Sequence, residues 1–312
     1  MTHKELAVRV ATIDIGTNTV LLLVAEQRQG GSLVALEERA TITRLGQGVD
    51  KTRALAPEAI ARTIACLDDY AAIIRAQNVS RVDVVGTSAM RDAKGGDEVR
   101  THAERVLGVP ARVIGGDEEA SLTFSGALVG LDATGTSQST VFDIGGGSTE
   151  IVQGDRATGA IRFAKSFDVG SVRMTERHVK SDPPTASELD AVRADVRAIV
   201  SELPALAPGE DPVGIAGTVT TLAAIALEMD PYDAARIHGA RIETRALEAV
   251  VQKLASMPLA ARRSVRGLEP KRADVIVSGG LVALSLLERF GASAMRVSDR
   301  GVRWGLALAL CK

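Results

Sequence analysis

Ile13-Asp14-Ile15-Gly16-Thr17-Asn18-Thr19 decides the fold, because Phe142-Asp143-Ile144-Gly145-Gly146-Gly147-Ser148-Thr149-Glu150 repeats the phrase near the middle of the chain. Each copy follows an apolar run that reads as a buried strand, over 8–13 and 140–142, and each leads into a second run, over 20–25 and 151–152. The pattern is strand, Asp-x-Gly turn, strand: a hairpin whose turn is built to hold an anion. Glycine lets the backbone come close enough for amide N–H groups to point at phosphate oxygens with no side chain in the way. The aspartate that opens each turn would repel a bare phosphate, so it makes sense beside a divalent cation that the phosphate also binds. Two such turns facing each other would clamp a polyanion and its metal.

Outward from these turns, the first half alternates strand and helix. A third strand is expected over 33–43, ending in the turn Leu45-Gly46-Gln47-Gly48, and Pro57 opens an amphipathic helix to about 77, with Ile60, Ile64, Leu67, Ala71 and Ile74 on one face. Strands over 81–85 and 111–114 bracket a helix over 97–107, and Asp117 is placed to cap a helix running to about 129. Small residues over 132–138 read as a linker, after which the phrase restarts. The second half reads as more helical, over 185–203, 219–228, 244–256, 281–289 and 301–310. The expected architecture is α/β: two lobes of mixed sheet flanked by helices, 1–125 and 126–312, with the last helix free to pack back on the first lobe and the active-site cleft between them.

Composition narrows the function. The chain has 312 residues, 46% hydrophobic and 24% charged, which suits a folded two-domain protein. Aromatics are only 3%, too few for a base-stacking platform, and a net charge of −2 argues against coating nucleic acid or an anionic membrane. Cys66 and Cys311 have no metal-ligand or redox spacing and read as buried hydrophobes in a reducing compartment. The start, Met1-Thr2-His3-Lys4-Glu5, has no apolar signal segment, and the uncharged stretch 213–227 is too short and too rich in glycine and threonine to span a bilayer. A cytoplasmic protein is expected.

Asp-x-Gly hairpins in two lobes resemble the actin-like (ribonuclease H-like) phosphotransferase superfamily. Four segments in order narrow this: Ile13 to Thr19, Gly86-Thr87-Ser88-Ala89-Met90-Arg91-Asp92-Ala93, Gly115-Gly116-Asp117-Glu118-Glu119-Ala120, and Asp143 to Glu150. With Asp168-Val169-Gly170-Ser171-Val172-Arg173-Met174-Thr175-Glu176, Gly217-Thr218-Val219-Thr220-Thr221-Leu222-Ala223 and Ser278-Gly279-Gly280, they resemble the exopolyphosphatase and guanosine-pentaphosphate phosphohydrolase (Ppx/GppA) family.

Glu118 and Glu119 both suit the first turn of a helix, where the dipole favours carboxylates. Successive helical residues point about 100° apart, so only one can face a site well. The resemblance picks Glu119, as general base toward the attacking water. Arg91, just after a strand, offers a guanidinium for charge that builds on the transferred group. Asp14, Asp143 and Glu150 form the expected acidic lining for magnesium, or manganese, while Thr17, Asn18, Gly145, Gly146, Gly147, Ser148 and Thr149 supply donors to phosphate oxygens.

Two positions depart from the family pattern: Gly95 stands where asparagine is usual, and Trp304 where glutamate is, so a phosphate or backbone contact and a charge contact are expected to be lost. Trp304 is expected to pack against the final helix. Longer relatives continue with a helical domain beyond the position of Lys312, so short polyphosphates are the expected substrate, with Arg162, Lys165, Arg173 and Arg177 available to line one end of the cleft or simply to be solvated. The resemblance implies hydrolysis of terminal phosphoanhydrides of polyphosphate and a link to the stringent response, and a homodimer is expected from the prevalence of symmetric oligomers among enzymes. Hydrolysis of guanosine pentaphosphate is the alternative within the class. A small-molecule kinase and a non-catalytic nucleotide or polyphosphate sensor are the alternatives outside it.

Overall fold

Strand β1 (Arg9–Ile15) is buried on both faces, and that is what makes it the organising strand of its sheet. The computed structural model describes residues 8–132 and 136–312, so the start 1–5 and the middle of the expected linker lie outside the described residues. The chain divides into two compact units: one runs through Leu122 and takes back Val302–Lys312, and the other is Thr123–Gly301.

In the first unit, β1 pairs antiparallel with β2 (Thr19–Gln27), which pairs antiparallel with β3 (Leu33–Ile42). On its other side β1 pairs parallel with β4 (Arg81–Gly86), and β4 with β5 (Arg112–Val113), giving the order β3-β2-β1-β4-β5. Ala11, Ile13 and Ile15 join one core with Ala59, Ile60, Leu67, Tyr70 and Ile74 of the helix Pro57–Ala76. Between them in sequence, the fully buried Thr12 donates its hydroxyl to the Arg303 carbonyl at 2.8 Å, which satisfies a polar group inside the strand. Arg303 belongs to the last helix, Val302–Leu310, and this helix packs beside Val85, Ile114 and Leu122 through Val302 and Leu306. At Gly305 a side chain would land on the Leu122 carbonyl, so glycine is what allows the two backbones to approach.

The second unit builds the same pattern from a new hairpin. Strands β6 (Gln138–Ile144), β7 (Thr149–Asp155) and β8 (Ile161–Phe167) are antiparallel neighbours. Strand β6 pairs parallel with β9 (Val213–Ile215), and the sheet continues through β10 (Arg241–Glu243) and β11 (Ala294–Val297) in the order β10-β11-β9-β6-β7-β8. The helices Ala216–Ala226, Thr244–Ala255 and Ile276–Phe290 contribute a large share of its apolar core.

Several expectations change. The helix expected to begin after Asp117 is Gly116–Ala127, with Asp117 already inside its first turn. The uncharged stretch 213–227 is a buried strand followed by a core helix, and no helix among the described residues is long and apolar enough to cross a membrane. Trp304 does not pack against the last helix but belongs to it; it is 1% exposed and donates from its indole to Glu38 Oε1 at 3.2 Å. A charge contact persists beside it, Arg303 to the same Glu38 oxygen at 2.9 Å. Cys66 is buried but Cys311 is only half-buried, and desolvation pushes both thiols up, away from the reactive thiolate.

Candidate active site

The turn between β1 and β2 closes with the Gly16 amide on the Thr19 carbonyl at 3.1 Å. A Cβ at Gly16 would stand 2.9 Å from that carbonyl, so the closure needs glycine. The next carbonyls are pulled away by the loop after β3: Thr17 O accepts from Gly46 N at 2.8 Å, and Asn18 O from Thr43 N and Arg44 N at 3.1 and 2.9 Å. In a trans peptide the C=O and N–H point in opposite directions. The amides of Asn18 and Thr19 therefore face away from that loop. The Thr17 hydroxyl shares a 2.7 Å hydrogen bond with Ser88 Oγ at the start of the short helix Ser88–Asp92.

That short helix carries Arg91, whose Nη1 reaches both the Ile114 carbonyl at 3.1 Å and Glu119 Oε2 at 2.9 Å. Glu119 is 7% exposed. Glu118, one residue earlier, points outward and accepts from Arg112, which also grips Asp83. The helix thus sorts its two acids: one into a surface ion pair, the other inward against a guanidinium. Gly95 has a left-handed φ of 99° and precedes the helix Gly96–Leu107. Asparagine tolerates a positive φ best after glycine, so either residue can hold this backbone conformation.

In the second unit the turn after β6 closes the same way, Gly145 N to Ser148 O at 3.0 Å. Its carbonyls are tied down by the helix Ser171–His178. Gly145 O accepts from the Ser171 amide at 3.0 Å and hydroxyl at 3.2 Å, and Gly146 O from the amides of Val172 and Arg173 at 2.9 and 3.0 Å. Gly147 O accepts from Arg173 Nε at 2.6 Å. With three successive carbonyls facing the helix, the amides of Gly146, Gly147 and Ser148 face the opposite way, which is the geometry of an anion-binding nest. At Gly170 a Cβ would overlap the Gly146 carbonyl, so glycine sets how closely the turn rests on the helix. Thr149 does not serve the turn as a phosphate donor through its hydroxyl: it is 1% exposed and donates to the Val169 carbonyl at 2.5 Å, bracing the chain that leads into the helix.

Asp143 and Glu150 are direct cross-strand partners, so their side chains share one face of the sheet as neighbours. Ser166 is next in the same row, opposite Glu150, and donates its hydroxyl to Glu150 Oε1 at 2.6 Å. The equivalent row of the first unit reads Ala40, Leu21, Asp14, Val85, with one acid in place of two. Among the described residues no group of three or more His, Cys, Asp or Glu side chains gathers at metal-binding spacing. Magnesium does not need one: it keeps waters and takes one or two carboxylates plus phosphate oxygens, and the pair Asp143 and Glu150 fits that requirement. Of the basic residues set aside as a cleft lining, Arg173 holds the turn, Arg177 pairs with Asp195, and Lys165 lies over the Phe167 ring at 4.9 Å.

The sequence alone assigns no role to Ser166, Gly170 or Ser171, and offers Arg173 only as a lining of the cleft. The available signal was a glycine directly before a short polar segment of helical length, within a phrase already singled out.

Comparison with known proteins shows what the whole chain is similar to. The Ppx/GppA phosphatase family profile matches residues 23–312. Exopolyphosphatase 2 of Mycobacterium tuberculosis is 42% identical, covering 97% of this chain and 98% of that protein. The crystal structure of an exopolyphosphatase-like protein superposes with a TM-score of 0.89 at 34% identity, over 97% of this chain and 98% of that one. The Aquifex aeolicus member of the Ppx/GppA family gives a TM-score of 0.83 at 33% identity, over 98% of each chain.

Thr149→Val keeps the shape of the side chain and removes its hydroxyl, leaving the Val169 carbonyl short of a donor. It is expected to lower unfolding free energy by about 1–3 kcal/mol in urea titrations, with Thr149→Ser close to the parent. A Thr149→Val variant as stable as the parent would return the hydroxyl to the list of phosphate donors.

Proposed function

The chain belongs to the Ppx/GppA phosphatase family, and from that premise we propose that it is an exopolyphosphatase, releasing the terminal phosphoryl group of inorganic polyphosphate by attack of water activated at Glu119. The observation that carries this reading is the sorting of the acid pair: Glu118 is held at the surface by Arg112, whereas Glu119 is buried against Arg91. A buried carboxylate in its ionised form, positioned by a neighbouring guanidinium, can accept a proton from water.

In the reaction the water oxygen bonds to the terminal phosphorus as its proton passes to Glu119. The bridging P–O bond breaks, and its electron pair and oxygen leave with the shortened chain. Arg91 stabilises the negative charge that builds on the transferred group, since its guanidinium stays charged throughout. In the second unit the amides of Gly146, Gly147 and Ser148 hold phosphate oxygens, and Asp143 with Glu150 holds magnesium, or manganese. Asp14 is the matching acid of the first unit. When bound, the ion neutralises phosphate charge and so favours attack by an oxygen nucleophile. The 5′ γ-phosphate of guanosine pentaphosphate offers the same anhydride to the same groups, so rates on the two substrates, measured side by side, decide between them.

Glu119→Gln should cut turnover by about a hundredfold to ten-thousandfold with little change in KM, while Glu118→Gln should stay near the parent. Equal losses in the two variants would remove the assignment of the base. Asp143→Asn and Glu150→Gln should each raise the magnesium concentration needed for half-maximal phosphate release, and unchanged titrations in both would place the ion elsewhere.

A further inference from the structure

Arg173 is the third residue of the helix Ser171–His178, and it grips the glycine turn twice. Its backbone amide donates to Gly146 O at 3.0 Å, and its side-chain Nε donates to Gly147 O at 2.6 Å. The far edge of the guanidinium lies 3.3 Å from Asp168 Oδ1. The arginine side chain is 16% exposed and the aspartate 79%, so the pair runs from beneath the turn out to the surface. Both carbonyls it holds lie on the face of the turn opposite to the amides of Gly147 and Ser148. Gly170 leaves no slack beneath the turn, since even a methyl group there would overlap Gly146.

We propose that Arg173 is a positioning residue that acts on phosphate through the Gly147–Ser148 peptide, with Asp168 as its outer anchor. By holding the Gly147 carbonyl it fixes the plane of that peptide, and so aims the Ser148 amide. By placing a positive charge on the carbonyl oxygen it polarises the peptide, and so strengthens the same amide as a donor. An arginine in this place reads from sequence as a phosphate ligand, but its guanidinium is aimed at the carbonyl side of the turn. The proposal rests on the reading of the turn as a phosphate cradle.

The test is calorimetric binding of tripolyphosphate in a Glu119→Gln background, so that the probe is not consumed, with thermal melting of each variant alongside. Arg173→Gln should weaken binding about tenfold or more, since a charged donor is roughly twice as strong as a neutral one and the peptide also loses its anchor. Arg173→Lys, which keeps the charge but not the two-sided grip, should fall between Arg173→Gln and the background protein. Asp168→Asn should weaken binding by about threefold at an unchanged melting temperature, because it alters only an exposed end of the pair. If Arg173→Gln does not fold, Arg173→Lys and Asp168→Asn carry the test. Affinities within about twofold of the background in the folded variants would overturn the positioning role while leaving the cradle in place. Failure of the background protein itself to bind tripolyphosphate would overturn the cradle, and this role with it.

Discussion

A planar trans peptide cannot present its carbonyl and its amide to the same side, and both Asp-x-Gly turns are built on that constraint. Each turn hands its carbonyls to a neighbouring segment, and its amides are thereby committed to the other face. In the first unit the receiver is the loop at Thr43, Arg44 and Gly46; in the second it is the start of the helix Ser171–His178. Much of the surrounding architecture follows. Gly170 brings the helix close enough, Thr149 braces the chain that enters it, and Arg173 closes the last carbonyl. A side chain added at Gly170 would push the helix off the turn and release three carbonyls together.

The two units share a topology and differ in chemistry. Each has three antiparallel strands whose first member pairs in parallel with the strand that follows, and each places an aspartate at the end of that first strand. The row beside Asp14 is apolar, with Leu21 and Ala40, whereas the row beside Asp143 continues through Glu150 and Ser166. The first unit draws its second acid from a helix instead, at Glu119, held by an arginine from another short helix. The duplication supplies the scaffold twice. In the proposed function, separate residues let one copy activate water and the other hold phosphate and a cation.

What could be read from the sequence is what local pattern and backbone chemistry determine. Apolar runs around an Asp-x-Gly turn can be little else than strands, and the helix opened by Pro57 and the restart at Asp143 follow from spacing alone. The acid pair was ambiguous because a 100° step says that one of two neighbours faces inward but not which; the choice lies in Arg91 and Arg112, from other elements. Strand β8 is hard to read from sequence because it is an edge strand with several exposed residues, including Arg162, Lys165 and Ser166, and its apolar alternation at Ile161 and Phe163 is broken by Lys165. The helix Ser171–His178 is short and polar, and the turn it supports is what gives it a role. Thr149 looked like a donor to phosphate because a hydroxyl beside a glycine turn usually has that use. Here a carbonyl some twenty positions on accepts its hydrogen bond. Gly95 has a left-handed backbone that suits glycine and that asparagine also tolerates.

The central claim is that water attacks the terminal phosphorus of a polyphosphate chain, and hydrolysis of tripolyphosphate in 18O-labelled water tests it most directly. Mass spectrometry of the products should find one solvent oxygen in the released orthophosphate and none in the pyrophosphate left behind, because the bridging oxygen departs with the shortened chain. Label in the pyrophosphate with unlabelled orthophosphate would place the attack on the inner phosphorus and contradict the account, as would an absence of any release under conditions where the folded protein binds the substrate.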